Sequence, residues 1–344
     1  MSTYKGLFDT LGLREWCGDT GGTGGTTSMA DLLAKARGQK AETSIWDLPF
    51  PSLDNLNASC SSFPRTRDMT AGVESVFLAV KDALKFVLDP LTQPLSWILN
   101  GALYTFQAMP WWMLIPLILL AVQAVARSWS ITLFVAASFV FLAFIDHYSF
   151  AIQTLSIIFT CTVLSILFGV PTGIAMSKND GFQKVMIPIL DMLQTLPSFV
   201  YLIPLIFLFD VTEPKLYGIA IIMYAIVPVI RLTDLGIRLV DKDVIEAADA
   251  FGMTARQKLF GVEIPLALPN IMAGVNQTIM MALAMVVIAS LVSAPGLGVL
   301  VLRGIRNLEL GTGLISGICI VLLAIILDRV SKASLARIDT SQKQ

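Results

Sequence analysis

Six polar side chains lie in stretches of the sequence that are otherwise apolar, where their amide and hydroxyl groups can bind a small polar solute. Three methionines on nearby helical turns, Met280, Met281 and Met285, either form a soft wall for such a path or simply pack. The polar groups can instead hydrogen-bond between helices, an interaction that contributes about 0.6 kcal/mol on average within a membrane. Both roles stay open for Gln194, Thr195, Ser198, Asn276, Gln277 and Thr278.

Two carboxylates also fall in apolar segments, where an ion-coupled transporter would need ionisable side chains. Asp191 lies about two turns into one segment, and Asp234 lies near the end of the next. Asp191 can line a path or hold a neighbouring helix. No partner base for it is evident, and a lone acid makes a poor proton relay. We therefore favour the structural role.

Other chemistries find little support in the residues. No G-x-x-x-x-G-K-[ST] phosphate-binding motif occurs, so the chain is not expected to hydrolyse ATP by itself. The single histidine, His147, and the four cysteines have no metal-ligand spacing, so no metal site is predicted. Cys17 and Cys60 could pair if their region is periplasmic. The formal net charge of −1 gives no indication of a nucleic-acid partner.

The elements that must position these groups are membrane helices. Hydrophobic residues make up 55% of the 344 residues and charged residues only 14%, against about 25% charged in soluble domains. The mean hydropathy is +0.74. Because a helix needs about 20 apolar residues to cross a bilayer, we predict an all-α polytopic membrane protein with about seven transmembrane helices, near 110–126, 130–146, 150–176, 185–209, 216–234, 271–294 and 311–328.

Prolines and glycines mark bends in these spans. Gly296 and Gly298 are expected to turn the chain out of the sixth span. A proline within a span removes a backbone hydrogen bond, and neighbours must satisfy the group that is freed. The prolines are therefore either hinges for alternating access or fixed kinks: Pro171 in the third span, Pro197 and Pro204 in the fourth, and Pro228 in the fifth.

The chain divides into five predicted regions. Residues 1–70 are the least hydrophobic and contain a glycine-rich stretch, 18–28, that is typical of a flexible linker. Residues 71–108 contain an amphipathic helix ended by Pro90 and a second, more apolar helix, which either lie along the membrane surface or pack on the bundle. A transmembrane hairpin at 109–149, a larger transmembrane domain at 150–330 and a tail at 331–344 follow.

Orientation is predicted from the distribution of basic residues, which favours the cytoplasmic side. Lysine and arginine are concentrated in alternate loops, including residues 238–269, and in the tail. The long N-terminal region is therefore expected in the periplasm and the C-terminus in the cytoplasm. Arg303 and Arg306, in the last outer loop, oppose this pattern without reversing it.

The longest polar interruption, the loop at 238–269, is predicted to contain two short capped helices. Asp243 is expected to be the N-cap of the first, with Glu246 reaching back to it. Gly252 suits the left-handed position that ends a helix, and Thr254 begins a second capping box. A stiff loop of this kind can carry force to a partner protein, and its alanines leave a slim face that can enter a cleft. Alternatively, it only connects two spans.

The return from this loop is marked by two prolines, Pro265 and Pro269, which are expected to redirect the chain toward the membrane. The spacing up to this return is specific. A Glu-Ala-Ala triplet is followed by three residues and a glycine, and nine residues later by an apolar–any–apolar–Pro sequence. The residues of this pattern are Glu246, Ala247, Ala248, Gly252, Val262, Ile264 and Pro265.

This pattern resembles the EAA signature of binding-protein-dependent ABC importer permeases. The family has isoleucine and leucine where this chain has Val262 and Ile264, and both replacements keep an apolar side chain. Beyond the loop, the segments 194–204, 271–278, 286–290 and 302–305 are similar to the glycine betaine/proline betaine permeases of that family. The likeness covers about 150–330, whereas the first 70 residues carry none.

The resemblance implies a type I ABC importer permease fold in the bacterial inner membrane. It implies a homodimer of permeases, two ATPase subunits that bind the ATP and magnesium, and a periplasmic substrate-binding protein, with no cofactor in this chain. The loop would form the coupling helix that docks into a groove on the ATPase. The implied cargo is a quaternary-ammonium osmolyte such as glycine betaine, proline betaine, choline, carnitine or trimethylamine N-oxide. Lipid is the remaining partner.

Two other functions are compatible with a polytopic chain that lacks nucleotide-binding motifs. An ion-coupled secondary transporter would move its solute with an ion gradient and ignore ATP. A membrane scaffold or osmosensor would not transport, and it would not copurify with an ATPase.

Overall fold

The computed structural model describes residues 50, 52–60 and 62–342, and every regular element in those ranges is helical. The chain divides at residue 84 into two units, 1–84 and 85–344. The predictions for Cys17 and the glycine-rich stretch at 18–28 lie outside the described residues. In the first unit, helix α1 (Leu53–Ser59) begins at the N-cap Ser52, whose side chain accepts a hydrogen bond from the Asn55 N–H at 3.3 Å.

Helix α2 (Thr66–Ala108) is continuous, so the prediction that Pro90 ends a first helix is wrong. Both Pro90 and Pro94 lie inside it. The reason is tertiary packing, which overrides local propensity. On this part of α2, Asp89 bonds the buried ammonium of Lys215 at 2.8 Å, and Ser96 accepts from the Lys215 backbone N–H at 3.2 Å.

The sequence predicts about seven transmembrane helices, but fewer helices of the described residues meet the length and apolarity needed for a span. Four are long and apolar enough to cross a membrane: Tyr148–Lys178, Pro214–Arg238, Ala255–Val292 and Leu310–Ala336. A fifth candidate is the bent pair of α2 and the helix Trp111–Ala126, which meet at 112°. The helix Trp129–Phe144 is apolar but shorter. The helices that follow α2 in chain order are α3 (Trp111–Ala126), α4 (Trp129–Phe144), α5 (Tyr148–Lys178), α6 (Asp180–Thr195), α7 (Leu202–Leu208) and α8 (Pro214–Arg238).

The fourth predicted span, 185–209, is not one helix. It is divided into α6 and α7, with a turn over residues 196–201 between them. Leu196, at φ −66° and ψ 132°, is extended, as expected for a residue that precedes a proline. Pro197 therefore breaks the span instead of kinking it.

Beyond α8 come two short helices, α9 (Lys242–Ala250) and α10 (Ala255–Lys258), then α11 (Ile264–Ala289), α12 (Leu297–Asn307) and α13 (Leu310–Gln342). Gly296, at φ +122°, turns the chain into α12, as predicted. The Leu297 N–H that follows donates to the Thr154 hydroxyl at 2.9 Å. The last helix continues through the predicted tail as far as Gln342.

The centre of the second unit is the packing of α5 and α11 on α8. A Cβ atom at Gly173 of α5 would lie 2.6 Å from the carbonyl oxygen of Ile230 on α8, and one at Gly274 of α11 would lie 3.0 Å from the Val229 Cα atom. These glycines let both helices approach the α8 backbone. A fixed three-helix core results, and it supports the sites described below.

Candidate functional site

The loop after α8 folds as two short helices, as predicted, but the first N-cap is Asp241 and not Asp243. The Asp241 carboxylate accepts from the Asp243 N–H at 3.0 Å. Asp243 lies in the first turn, where a negative charge still interacts favourably with the helix dipole. The predicted reach of Glu246 back to a cap at Asp243 therefore does not apply.

Gly252 closes α9 in the predicted left-handed conformation, with φ +74°. The Gly252 N–H donates to the Asp249 carbonyl at 2.9 Å, and the Met253 N–H donates to the Ala248 carbonyl at 3.2 Å. These bonds satisfy carbonyls at the helix end. The joint between α9 and α10 is thus a defined turn.

The second capping box is also present. The Gln257 N–H donates to the Thr254 hydroxyl at 3.4 Å, and the Thr254 N–H donates to the Gln257 side-chain oxygen at 2.9 Å. The Lys258 ammonium bonds both oxygens of Asp249, at 2.7 and 2.8 Å, and so ties the end of α10 to α9. The two helices form one braced element, which we call the loop helices (242–258).

The prediction that Pro265 and Pro269 redirect the chain is wrong, because the helix continues from Ala255 to Val292. A π-helical turn at Leu259–Glu263 joins α10 to α11, and the Ile264 N–H bonds the Leu259 carbonyl five residues back. Pro265 follows in the first turn of α11, where a missing N–H is tolerated. The second of the loop helices, α10, is therefore continuous with a predicted span.

The inner side of the loop helices packs on the bundle. Ala248 is 5% exposed, and Ile245 packs on a cluster formed by Ile237, Val240, Ala267 and Ile271. Ile264 joins the same cluster, whereas Val262 is half-buried and Pro265 exposed.

An ion pair adds a second connection between the loop and the bundle. Glu263, at the end of the π-helical turn, is 3% exposed and pairs with Lys178 at the end of α5. The outer side of the loop helices stays open, with Glu246 and Ala247 exposed and Phe251 87% exposed. The inner side of the loop helices is thus anchored to the bundle by apolar packing and an ion pair, and the outer side is exposed.

A second candidate site is an open cavity of about 390 Å³ among the helices. Helix α5 contributes Met176, α6 contributes Ile187 and Gln194, and α11 contributes Gln277. The remaining lining residues belong to α8: Pro228, Arg231, Leu232, Asp234 and Leu235. The structure therefore brings together two of the six predicted path residues, Gln194 and Gln277. The volume of the cavity lies in the range of roughly 300–1,000 Å³ that is usual for small-ligand sites.

The other four predicted path residues are not in the lining of this cavity. Asn276 bonds Ser331 of α13, and Thr278 is fully buried with no described partner for its hydroxyl. Thr195 is exposed and bonds the Met192 carbonyl at 3.5 Å, and Ser198 lies in the turn between α6 and α7. Gln194 also donates to the Met281 sulfur at 3.8 Å.

Charged side chains line the cavity, and the sequence reasoning did not pair them. Arg231 of α8 pairs with Asp191 of α6, so the expectation that Asp191 has no partner base is wrong. Asp234 accepts from Arg238 Nε at 2.9 Å and from Gln183 Nε2 at 2.7 Å. Asp191 thus connects neighbouring helices, in line with its favoured structural role.

Three functional candidates were missed: Arg231, Lys178 and Glu263. Arg231 could have been noticed as a cation within the predicted fifth span, since such residues usually line a cavity or find a partner. Lys178 and Glu263 lie 85 residues apart, and nothing in the sequence joins them.

A helical bundle with candidate membrane spans, a cavity lined by charged, amide and apolar side chains, and a braced exposed loop fits the class of solute permeases on which a partner protein acts. Residues 165–340 match the family described as the binding-protein-dependent transport system inner membrane component. The chain belongs to this family, the permeases of ABC importers.

Relatives with known names support this membership. The chain is 43% identical over 224 residues to the glycine betaine transport system permease protein of Bacillus subtilis, covering 63% of this chain and 79% of that one. It is 42% identical over 253 residues to the glycine betaine/proline betaine transport system permease protein of Escherichia coli, covering 72% and 69%. It is 37% identical over 247 residues to the glycine betaine/carnitine transport permease protein of Listeria monocytogenes, covering 71% and 87%.

Among solved structures, the MetNI methionine ABC transporter in an inward-facing conformation has a similar fold. The TM-score is 0.51 at 17% identity, and the match covers 56% of this chain and 95% of that one. The all-α importer fold is therefore confirmed. The chain is a multi-pass inner-membrane permease and not an enzyme, and its family implies a separate ATPase and a substrate-binding protein as partners.

Proposed function

We propose that this chain forms the path for a quaternary-ammonium osmolyte, with glycine betaine as the first candidate, and that the loop helices couple the path to ATP. One observation carries the coupling part. Helix α11 contributes Gln277 to the cavity and continues without a break into α10, to which α9 is braced by the Lys258–Asp249 ion pair. A displacement of α9 and α10 therefore reaches the cavity wall through α11.

The ATPase is proposed to grip the free face of the loop helices. Glu246 and Ala247 are exposed, and Ala247 adds little bulk, so a cleft on the partner can approach the backbone of α9. On the opposite side, Ala248 is buried and Ile264 packs on the apolar cluster. The left-handed turn at Gly252 ends α9, and together these features keep the loop helices in one conformation. ATP and magnesium would be bound by that partner and not by this chain.

The choice of cargo is supported by the relatives, whose names specify glycine betaine, proline betaine and carnitine, and also trimethylamine N-oxide in Ruegeria pomeroyi. Of the predicted path residues, Gln194 and Gln277 are proposed to contact the solute. Thr195, Ser198, Asn276 and Thr278 are proposed to serve the packing of the helices around it, because their described neighbours are protein groups or none.

The assembly is proposed to be a homodimer of this chain in lipid, with the N-terminus in the periplasm and the C-terminus in the cytoplasm. This orientation places the loop helices on the cytoplasmic side, where an ATPase is available. It also rests on the concentration of lysine and arginine in the loop and tail.

The test is ATP-driven uptake of radiolabelled glycine betaine by proteoliposomes that contain the permease, its ATPase and its binding protein. Uptake should require ATP inside and loaded binding protein outside. The loop variants Glu246→Arg and Gly252→Pro should each lower uptake by about tenfold or more, as expected when a central contact of an interface is lost. Membrane insertion should be unchanged.

Glu74→Arg is a matched control, since Glu74 is an exposed glutamate on α2 and lies outside the loop sequence. It should transport normally. Uptake that follows an ion gradient and ignores ATP would favour a secondary transporter. Normal uptake by both loop variants would rule out the coupling role.

A further inference from the structure

The cavity contains an arginine with unused hydrogen-bonding capacity. A guanidinium has five N–H donors in a planar fork. The Arg231 contact with Asp191 uses Nη2, and Arg231 Nε is buried with no hydrogen-bond partner in the described part of the chain. The Nε edge is the side through which arginine commonly binds a carboxylate with two parallel bonds.

The partner of Arg231 is held loosely enough to be exchanged. The side chains of Arg231 and Asp191 are 39% and 53% exposed, and ion pairs with this much solvent contact are weak. Asp234, whose carboxylate lines the cavity, is already engaged by Arg238 and Gln183. A carboxylate entering the cavity would therefore compete with Asp191 alone for Arg231.

The charges in the cavity match those of a zwitterion. Arg231 and Asp191 are neutral as a pair. If a solute carboxylate takes the place of Asp191 on Arg231, the freed Asp191 carboxylate can face the solute's quaternary ammonium. The cavity then stays neutral with the solute bound, and no charge is left without a counter-charge. Met176, Pro228 and Leu232 supply apolar surface for the methyl groups.

We propose that Arg231 is a transient carboxylate-binding residue of the translocation path and that it favours carboxylate-bearing betaines over cations that lack a carboxylate. This inference rests on the proposed function, because it assumes that a quaternary-ammonium solute passes through the cavity. In this proposal Asp191 binds Arg231 in the absence of solute, and the solute carboxylate displaces it.

The test compares four variants in the proteoliposome assay, with glycine betaine as the probe and with ATPase stimulation by loaded binding protein measured in parallel. Arg231→Gln should lower uptake by about tenfold or more, the usual effect of losing a hydrogen bond to a charged group, while ATPase stimulation is retained. Asp191→Asn should lower uptake less than Arg231→Gln does, since the carboxylate site remains and only the counter-charge for the ammonium is lost. The charge swap Asp191→Arg with Arg231→Asp should not restore uptake. Lys332→Gln, which breaks an exposed ion pair with Asp328, is the control and should transport normally.

Equal losses in Arg231→Gln and Asp191→Asn, with recovery in the charge swap, would overturn the proposal and leave the pair as a connection between helices. If Arg231→Gln does not assemble, Arg231→Lys decides. It keeps the positive charge but lacks the fork, so uptake should still fall several-fold, and unchanged uptake would overturn the proposal. Failure of the unaltered importer to take up glycine betaine would instead refute the proposed function.

Discussion

Replacing Lys178 by methionine should destabilise the permease more than replacing its partner, Glu263. Glu263 is 3% exposed, whereas the Lys178 side chain is 44% exposed. Without Lys178, the Glu263 carboxylate stays buried without its counter-charge. Without the carboxylate, in Glu263→Gln, the lysine can turn toward solvent or lipid headgroups.

The exposure of the two side chains determines how much stability each variant loses. Breaking a fully buried pair costs about 3–5 kcal/mol. Because solvent reaches Lys178, we reduce this to about 1–3 kcal/mol for Lys178→Met. Glu263→Gln should cost about 0–1 kcal/mol, the range for exposed pairs. The double variant should be more stable than Lys178→Met alone, with a coupling energy of about 1–2 kcal/mol.

The assay is thermal unfolding of the purified permease in detergent, with ATP-driven uptake measured on the same variants. The expected order of melting temperatures is unaltered chain, Glu263→Gln, double variant, Lys178→Met. An uptake loss in Lys178→Met that is larger than its loss of folded protein would place the pair in the coupling route. A double variant less stable than Lys178→Met would refute the reasoning, because the buried charge would not then be the cause.

Three further predictions concern the backbone. Gly173→Ala should destabilise the bundle by about 1–3 kcal/mol, measured by thermal unfolding, because the new methyl group would meet the Ile230 carbonyl oxygen at 2.6 Å; an unchanged melting temperature would show that α5 can shift freely. Gly252→Ala, which has open space around it but φ +74°, should cost only about 1–2 kcal/mol in the same measurement, and a larger loss would reveal a contact that the structure does not contain. Leu308→Gly should stabilise the protein by about 0.5–1 kcal/mol, because Leu308 is 89% exposed at φ +56°; a lower melting temperature would indicate that its apolar side chain is covered in the membrane.

The sequence predicts local features of this protein well. The left-handed turn at Gly252 and the capping box at Thr254 both follow from residue types a few positions apart, and both are present. The turn at Gly296 likewise follows from its neighbours. At Gly252 and Thr254 the hydrogen bonds that decide the conformation are formed within the same short segment, whereas the turn at Gly296 is also held by the Leu297 bond to Thr154.

Features that depend on distant contacts could not be predicted in this way. Pro90 would end an isolated helix. Helix α2 nevertheless continues through it, and the adjacent Asp89 bonds Lys215, more than 100 positions away. The arginine partner of Asp191 lies 40 residues further along the chain. Spacing rules describe one helix at a time, so they do not reveal which residues of different helices meet.

The π-helical turn at Leu259–Glu263 sets the direction in which Gln277 faces around the helix axis relative to the loop helices. Each residue of an α-helix advances about 100° around the axis, and a π-turn accommodates roughly one extra residue. Deleting a single residue there would rotate Gln277 by about a quarter of a revolution relative to Ala247 and Gly252. This short stretch should therefore tolerate substitutions far better than changes of length.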